Sequence, residues 1–146
     1  MSNTVTVVCA ALFDLQGRVL MTKRKPGGMR PNMWEYPGGK VEASDASLEA
    51  ALQRELIEEL GIIVHADADF QIASTFTLEY ELGAPCTVIV YTVPLRGATP
   101  RCLDASALEM KDLRPALKYE ALLPSVYMSS RSVITNIDNY LRRTDG

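Results

Sequence analysis

The strongest constraint on this chain lies between Trp34 and Ile62, WEYPGGKVEASDASLEAALQRELIEELGI. Two successive glycines, Gly38 and Gly39, permit a tight turn and a close approach of backbone to a ligand or metal. One helix is expected next, from Ser44 or Ala46 to Leu60. Gly61 is suited to the left-handed residue that ends it. On a helical period, Leu48, Leu52, Leu56 and Leu60, with Ala51 beside them, form one packing stripe. A merely solvated helix would set its glutamates opposite that stripe. Here Glu55 and Glu59 project toward the Ala51/Leu52 edge, with Glu58 just beside them, so all three carboxylates can converge. Like charges next to apolar surface repel and are poorly hydrated. Lysines one turn on would relieve them, but positions 59, 62 and 63 are Glu, Ile and Ile. A hard divalent cation relieves them too, because such ions prefer carboxylate oxygens. Periodicity alone also admits an ordinary amphipathic helix with a glutamate-rich flank. The Gly-Gly turn favours the metal reading, since it can present carbonyl oxygens at the same edge.

The remainder of the chain reads as strands around this helix. Val5 to Phe13 is apolar and β-branched, a buried strand, and Asp14 to Gly17 is a turn. Arg18 to Arg24 returns as a strand with a basic end, Lys23-Arg24-Lys25. That end either faces an anionic substrate or is simply solvated. Pro26 to Asn32 is a loop by composition, and Trp34 to Tyr36 a short strand. Two extended segments are expected between Ile62 and Leu82, the clearer being Ile72 to Leu82. Cys86 to Leu95 is a further strand, Ala107 to Leu113 is ambiguous, and Ser125 is the expected N-cap of a helix over Val126 to Leu141.

At 146 residues the chain is long enough for one domain with its own core, spanning 1–146. Its net charge of -3 argues against a nucleic-acid polymer as partner, because no basic excess exists to neutralise phosphates. A small phosphorylated ligand remains compatible, held through a cation. Cys9, Cys86 and Cys102 are odd in number and widely spaced, which suggests neither a disulfide framework nor a zinc site. No signal peptide or membrane span is expected, and a cytoplasmic location with reduced thiols is. Lone His65 reads as a surface residue.

At this point the residues carry a family pattern. Gly39 to Ile62 resembles the Nudix box, G-x5-E-x7-R-E-U-x-E-E-x-G-U with U a bulky aliphatic residue. Arg54-Glu55-Leu56-Ile57-Glu58-Glu59-Leu60-Gly61-Ile62 fits its second half throughout. Gly17 to Arg24, Trp34 to Lys40, and Leu78 to Glu81 followed by Cys86 to Val93 look like the MutT-like branch. Five residues beyond Gly39 stands Asp45, where the family usually has Glu, and eight residues rather than seven then precede Arg54. The loop therefore carries one extra residue, and its geometry is the open point of the box.

The resemblance implies a Nudix-type α/β/α sandwich around a central mixed β-sheet. It implies a Mg²⁺- or Mn²⁺-dependent hydrolase of nucleoside diphosphate linkages, cleaving a triphosphate to monophosphate and pyrophosphate. Carried over, Glu55, Glu58, Glu59 and the Gly39 carbonyl would hold metal, and Arg54 would orient the glutamates, with Arg54, Glu55 and Glu58 as catalytic residues. A late acidic residue assists in this branch. Asp104 is the aligned candidate, with Glu79, Glu81 and Glu109 as rivals. Arg24 matches a position that can meet the nucleotide, and Trp34, Tyr36, Phe76 and Tyr80 are further substrate-binding candidates. The asparagine with which MutT reads the oxidised purine has no counterpart, since Pro124-Ser125-Val126 occupies its place. The expected substrate is thus a nucleoside triphosphate, with 8-oxo-dGTP as one candidate. Hydrolysis of nucleotide sugars or dinucleoside polyphosphates, and non-catalytic nucleotide sensing, are the alternatives. Retention of all three box glutamates speaks against the sensor. A monomer and a homodimer are both compatible with the sequence.

Overall fold

A computed structural model describes residues 4–28, 30–78, 85–116 and 122–145. A mixed seven-stranded sheet forms the middle layer. Strands β1 (Val5–Phe13), β2 (Val19–Lys23), β3 (Trp34–Glu35) and β4 (Gly38–Lys40) come first, then helix α1 (Leu48–Leu60). Strands β5 (Gln71–Leu78), β6 (Cys86–Pro94) and β7 (Ala107–Lys111), a short helix α2 (Leu113–Ala116) and the long helix α3 (Pro124–Asp145) follow. The main strand order is β3-β2-β1-β6-β5, with β4 also paired to β1 and β7 to β2. β1 and β6 run parallel over their whole length, from Val5 opposite Cys86 to Phe13 opposite Pro94, and the other pairings are antiparallel.

The alternation of strand side chains sorts the apolar residues into two cores. Val8, Ala10 and Leu12 of β1 join Ile89, Tyr91 and Val93 of β6 beneath Ala51, Leu52, Leu56 and Leu60 of α1. Cys9, Ala11 and Phe13 join Cys86, Val88 and Val90 on the opposite face, beneath Val126, Val133 and Ile137 of α3. The result is the expected α/β/α sandwich around a mixed sheet.

Several boundaries differ from the sequence expectation, each for a local reason. α1 starts at Leu48 rather than at Ser44 or Ala46, because the Ser47 hydroxyl accepts from the Ala50 N–H and caps it. The expected Gly-Gly turn is instead strand β4, with Gly38 and Gly39 opposite Cys9 and Val8. Only glycine allows it: a Cβ on Gly38 would lie 2.1 Å from the Val8 carbonyl oxygen, and φ there is +156°. Between Ile62 and Gln71 a single 3₁₀ turn, Asp67–Asp69, stands in place of the first of the two extended segments. α3 opens on Pro124, which suits a first helical position because its missing N–H would have no partner there. Ser125 is thus inside the first turn rather than at the N-cap. Cys9 and Cys86 are buried and Cys102 is exposed, all three as thiols. Among the described residues no helix is long and apolar enough to cross a membrane.

Candidate active site

α1 ends in a left-handed Gly61, and its acidic flank meets β4 edge-on. The Gly38 N–H donates to Glu59 Oε2 at 2.9 Å. Glu55 lies against Gly39 with no room for a side chain there: a Cβ at that position would fall 2.5 Å from Glu55 Oε1. Bare backbone at these two positions is what lets both carboxylates lie against the sheet. Burial pushes the Glu59 carboxyl up to about 8, with the nearby charges of Glu55, Glu35 and Asp104 adding to it and the Gly38 N–H opposing. Glu55 is raised as well, again first by burial, with Arg54 acting against the shift.

Arg54 gathers the loop and the helix. Its Nε and Nη2 donate to the two carboxylate oxygens of Asp45 at 3.0 and 2.9 Å, a two-pronged pairing. Nη1 donates to Glu55 Oε1 at 3.0 Å and Nη2 to the Lys40 carbonyl at 3.1 Å. Asp45 also accepts from the Glu42 N–H at 2.7 Å, while its own N–H donates to the Glu42 carbonyl. That turn bears on the sequence irregularity. The loop's extra residue is taken up in a fold that brings the shorter acid within reach of Arg54. Arg54 and the Glu42 N–H hold the Asp45 carboxyl down at about 2.

The three box glutamates do not converge symmetrically. Glu58, one turn after Arg54, stays on the outer side with Oε2 3.7 Å from Arg54 Nη1 and a side chain 59% exposed. Among the described residues no three acidic, histidine or cysteine side chains stand together as a metal-holding group. The donor chemistry nevertheless suits a hard cation. Two carboxylates, Glu55 and Glu59, are partly withdrawn from water, mutually repulsive, and set against the Gly38-Gly39 backbone.

Two neighbouring clefts adjoin this edge. The first, about 270 Å³, runs beneath the start of α3, over Cys9, Cys86, Val88 and Leu78. Arg24, Glu35, Tyr36, Gly39, Lys40, Leu123 and Ser125 complete its wall. The second, about 320 Å³, is lined by Lys23, Arg24, Lys25 and Gly28 together with Glu35, Glu59 and Asp104. Arg24 and Glu35 line both, joined by Nε–Oε2 at 2.7 Å and Nη2–Oε1 at 3.2 Å.

Of the sequence candidates, Arg24, Tyr36 and Gly39 meet in the first cleft, and Glu59, Arg24 and Asp104 meet in the second. Asp104 arrives there because its loop is tied to α1. The Arg101 N–H donates to the Leu60 carbonyl and the Leu103 N–H to the Glu59 carbonyl. Glu109 is instead drawn to Lys111, 3.4 Å away on β7. Trp34 lies outside both clefts, its ring facing Lys111 Nζ at 4.2 Å and Lys23 Nζ at 5.8 Å. Phe76 packs against the α3-side core. Tyr80, Glu79 and Glu81 lie outside the described residues. His65 is exposed, as expected. Val126 is fully buried in the core, and Ser125 is the residue of that segment that reaches the cleft. Sequence reading missed Glu35. Its signal was an acid beside Trp34 on a two-residue strand, with a partner in Arg24 that only the fold brings near.

Comparison with known proteins gives the family. The family model described as the NUDIX domain matches residues 3–129. A Mycobacterium tuberculosis protein provisionally named 8-oxo-dGTP diphosphatase 2 is 39% identical over 90 residues, which cover 62% of this chain and 61% of that protein. The CTP pyrophosphohydrolase of Escherichia coli is 46% identical over 55 residues, 38% of this chain and 40% of that one. The chain thus spans about 60% or less of the length of these curated relatives. The solution structure of the E. coli ORF135 protein superposes with a TM-score of 0.74 at 26% identity, covering 92% of this chain and 91% of that one. The chain belongs to the NUDIX family of hydrolases.

Proposed function

We propose that the protein is a pyrophosphohydrolase of nucleoside triphosphates or their modified forms, releasing a nucleoside monophosphate and pyrophosphate with Mg²⁺ or Mn²⁺. The observation that carries this reading is the Arg54 network, which fixes Glu55 against Gly39 while tying down the loop through Asp45. Glu55, Glu58, Glu59 and the Gly39 carbonyl are the ligands for the cation. When bound, such a cation offsets phosphate charge and makes a water molecule more acidic. Arg54 orients Glu55 and keeps Glu58 within reach. Asp104, whose loop is tied to the Glu59 backbone, assists from the second cleft. The first cleft takes the nucleoside: Tyr36 and the apolar floor exclude water from its base, and the Arg24–Glu35 pair and Ser125 supply polar contacts at its rim. Trp34 acts on substrate only through the strand it braces, and Phe76 through the floor beside it.

The relatives named above differ in base, one named for an oxidised guanine nucleotide and one for CTP, so likeness selects the triphosphate more firmly than the base. With Ser125 in place of an amide side chain, the site reads its base by fit more than by paired hydrogen bonds, and 8-oxo-dGTP stays one candidate among several. A cytoplasmic nucleotide pool is the setting that suits this activity. The test is a pyrophosphate-release screen over canonical and oxidised nucleotides with Mg²⁺ and Mn²⁺, on the wild type and on Glu58→Gln. Turnover that needs the cation and falls at least about a hundredfold in the variant is expected. Full activity in Glu58→Gln would sink the mechanism.

A further inference from the structure

The second cleft is lined by both signs of charge, with Glu59 and Asp104 beside Lys23, Arg24 and Lys25. Two of these cations are already engaged. Arg24 is paired to Glu35, and Lys23 faces the Trp34 ring. Lys25 instead reaches across to Asp104, Nζ to Oδ1 at 3.4 Å, with both side chains more than 60% exposed. An ion pair so exposed is held by little net energy and opens readily. What fixes its two ends is backbone. The Ser106 N–H and hydroxyl both donate to the Lys23 carbonyl, at 3.0 and 3.1 Å, so the loop carrying Asp104 is stitched to the segment carrying Lys25. On its other side the same loop is stitched to Glu59 and Leu60 through Leu103 and Arg101. The two backbones are therefore held at a set spacing, and only the side-chain contact between them is loose.

We propose that Lys25 and Asp104 form a latch that the outermost phosphate of the substrate opens, and that Lys25 then binds that phosphate. This rests on the nucleotide hydrolase reading and extends it to phosphate number. The latch requires that a triphosphate seated by its nucleoside in the first cleft reach Lys25 and that a diphosphate fall one group short of it. The same exchange releases Asp104 toward Glu59. An ammonium on a flexible stem suits the task, since a phosphate presents acceptors in many directions and needs no fork-shaped donor. Lys25 is thus a residue that sets specificity for triphosphate over diphosphate.

The test is calorimetric titration with the α,β-methylene analogues of GTP and GDP, repeated with those of CTP and CDP, in Mg²⁺. Wild type, Lys25→Ala and Lys25→Arg are compared. Loss of one charge-assisted contact predicts that Lys25→Ala weakens triphosphate binding about tenfold more than diphosphate binding. Lys25→Arg restores most of the difference. Equal weakening of both ligands, no weakening, or a wild type that binds neither would overturn the latch. Tight binding with the expected discrimination but no turnover of natural nucleotides would leave the latch standing and remove the hydrolase reading. Turnover with an unchanged preference in Lys25→Ala would do the reverse.

Discussion

The two faces of the sheet are built from the same strands but finished differently. On the α1 face, Leu52, Leu56 and Leu60 are fully buried over Val8, Ala10 and Leu12, and the helix closes the layer along its length. On the α3 face, Val133 and Ile137 close one end, while at the other the helix begins over an opening floored by Cys9, Cys86 and Val88. The closed face carries the Arg54 network and the box glutamates on the rim of a rigid layer. The open face carries the room for a nucleoside. Positioning of reactive groups tolerates little displacement, whereas substrate binding needs unfilled volume, so one sheet serves both by packing its two sides unequally.

One way to break this contrast comes from equal truncations on either side. Leu56→Ala removes a side chain from a filled layer and is expected to cost about 3 kcal/mol of unfolding free energy. Leu123→Ala, at the cleft wall, is expected to cost about 2 kcal/mol or less, because the space it leaves joins an existing opening. The first should lower the denaturation midpoint with little change in KM, and the second should raise KM. Chemical denaturation and steady-state kinetics on both variants read this directly. Matching stability losses with unchanged KM would mean that the faces do not differ as described.

A second test separates the paired glycines. Gly38→Ala drives a Cβ into the β1 backbone, which has no room to yield, and should prevent normal folding. Gly39→Ala meets only the end of the Glu55 side chain, which can swing away. The chain should therefore fold, with its near-native spectrum and melting behaviour kept, while activity falls about a hundredfold because Glu55 is displaced from its place. Gly39→Ala with full activity would show that Glu55 need not lie against β4.

The contrast was unevenly legible in the sequence. The α1 face could be read almost entirely, because a leucine stripe at helical spacing and the run Arg54 to Glu59 fix which side packs and which side bears charge. The sheet order and the parallel match of β1 with β6 could not be read from alternation, since register depends on partners far apart in the chain, such as Val5 and Cys86. β4 was hidden for another reason. Gly-Gly has no side-chain pattern, and its strand exists because two backbones approach closely. The cleft was least legible. It is made where Arg24, Tyr36, Leu78, Cys86 and Ser125 from five separated segments fail to fill a volume, and no local spacing records an unfilled volume. Trp34, a substrate-binding candidate by its residue type, faces two lysines instead of a cleft, which no local spacing records.

The smallest effect concerns the one departure in the box, and it carries a definite sign. The Asp45 carboxyl is held at about 2 by the Arg54 guanidinium and the Glu42 N–H, below the ordinary aspartate value near 4. A carboxyl depressed on folding adds stability that is fully present above its unfolded value and is lost as pH falls through its folded value. The contribution of this contact should therefore persist at neutral pH and fade between about pH 4 and pH 2. Asp45→Asn removes the ionisable partner, so the difference in stability between wild type and variant should shrink across that window and stay flat above it. A carboxyl-carbon titration by NMR gives the same quantity at a single site. An apparent pKa near 4 would show that Asp45 and Arg54 are not paired in solution. The extra loop residue would then not compensate for the shorter acid, and the Arg54 guanidinium that holds Glu55 would be anchored to the loop by the Lys40 carbonyl instead.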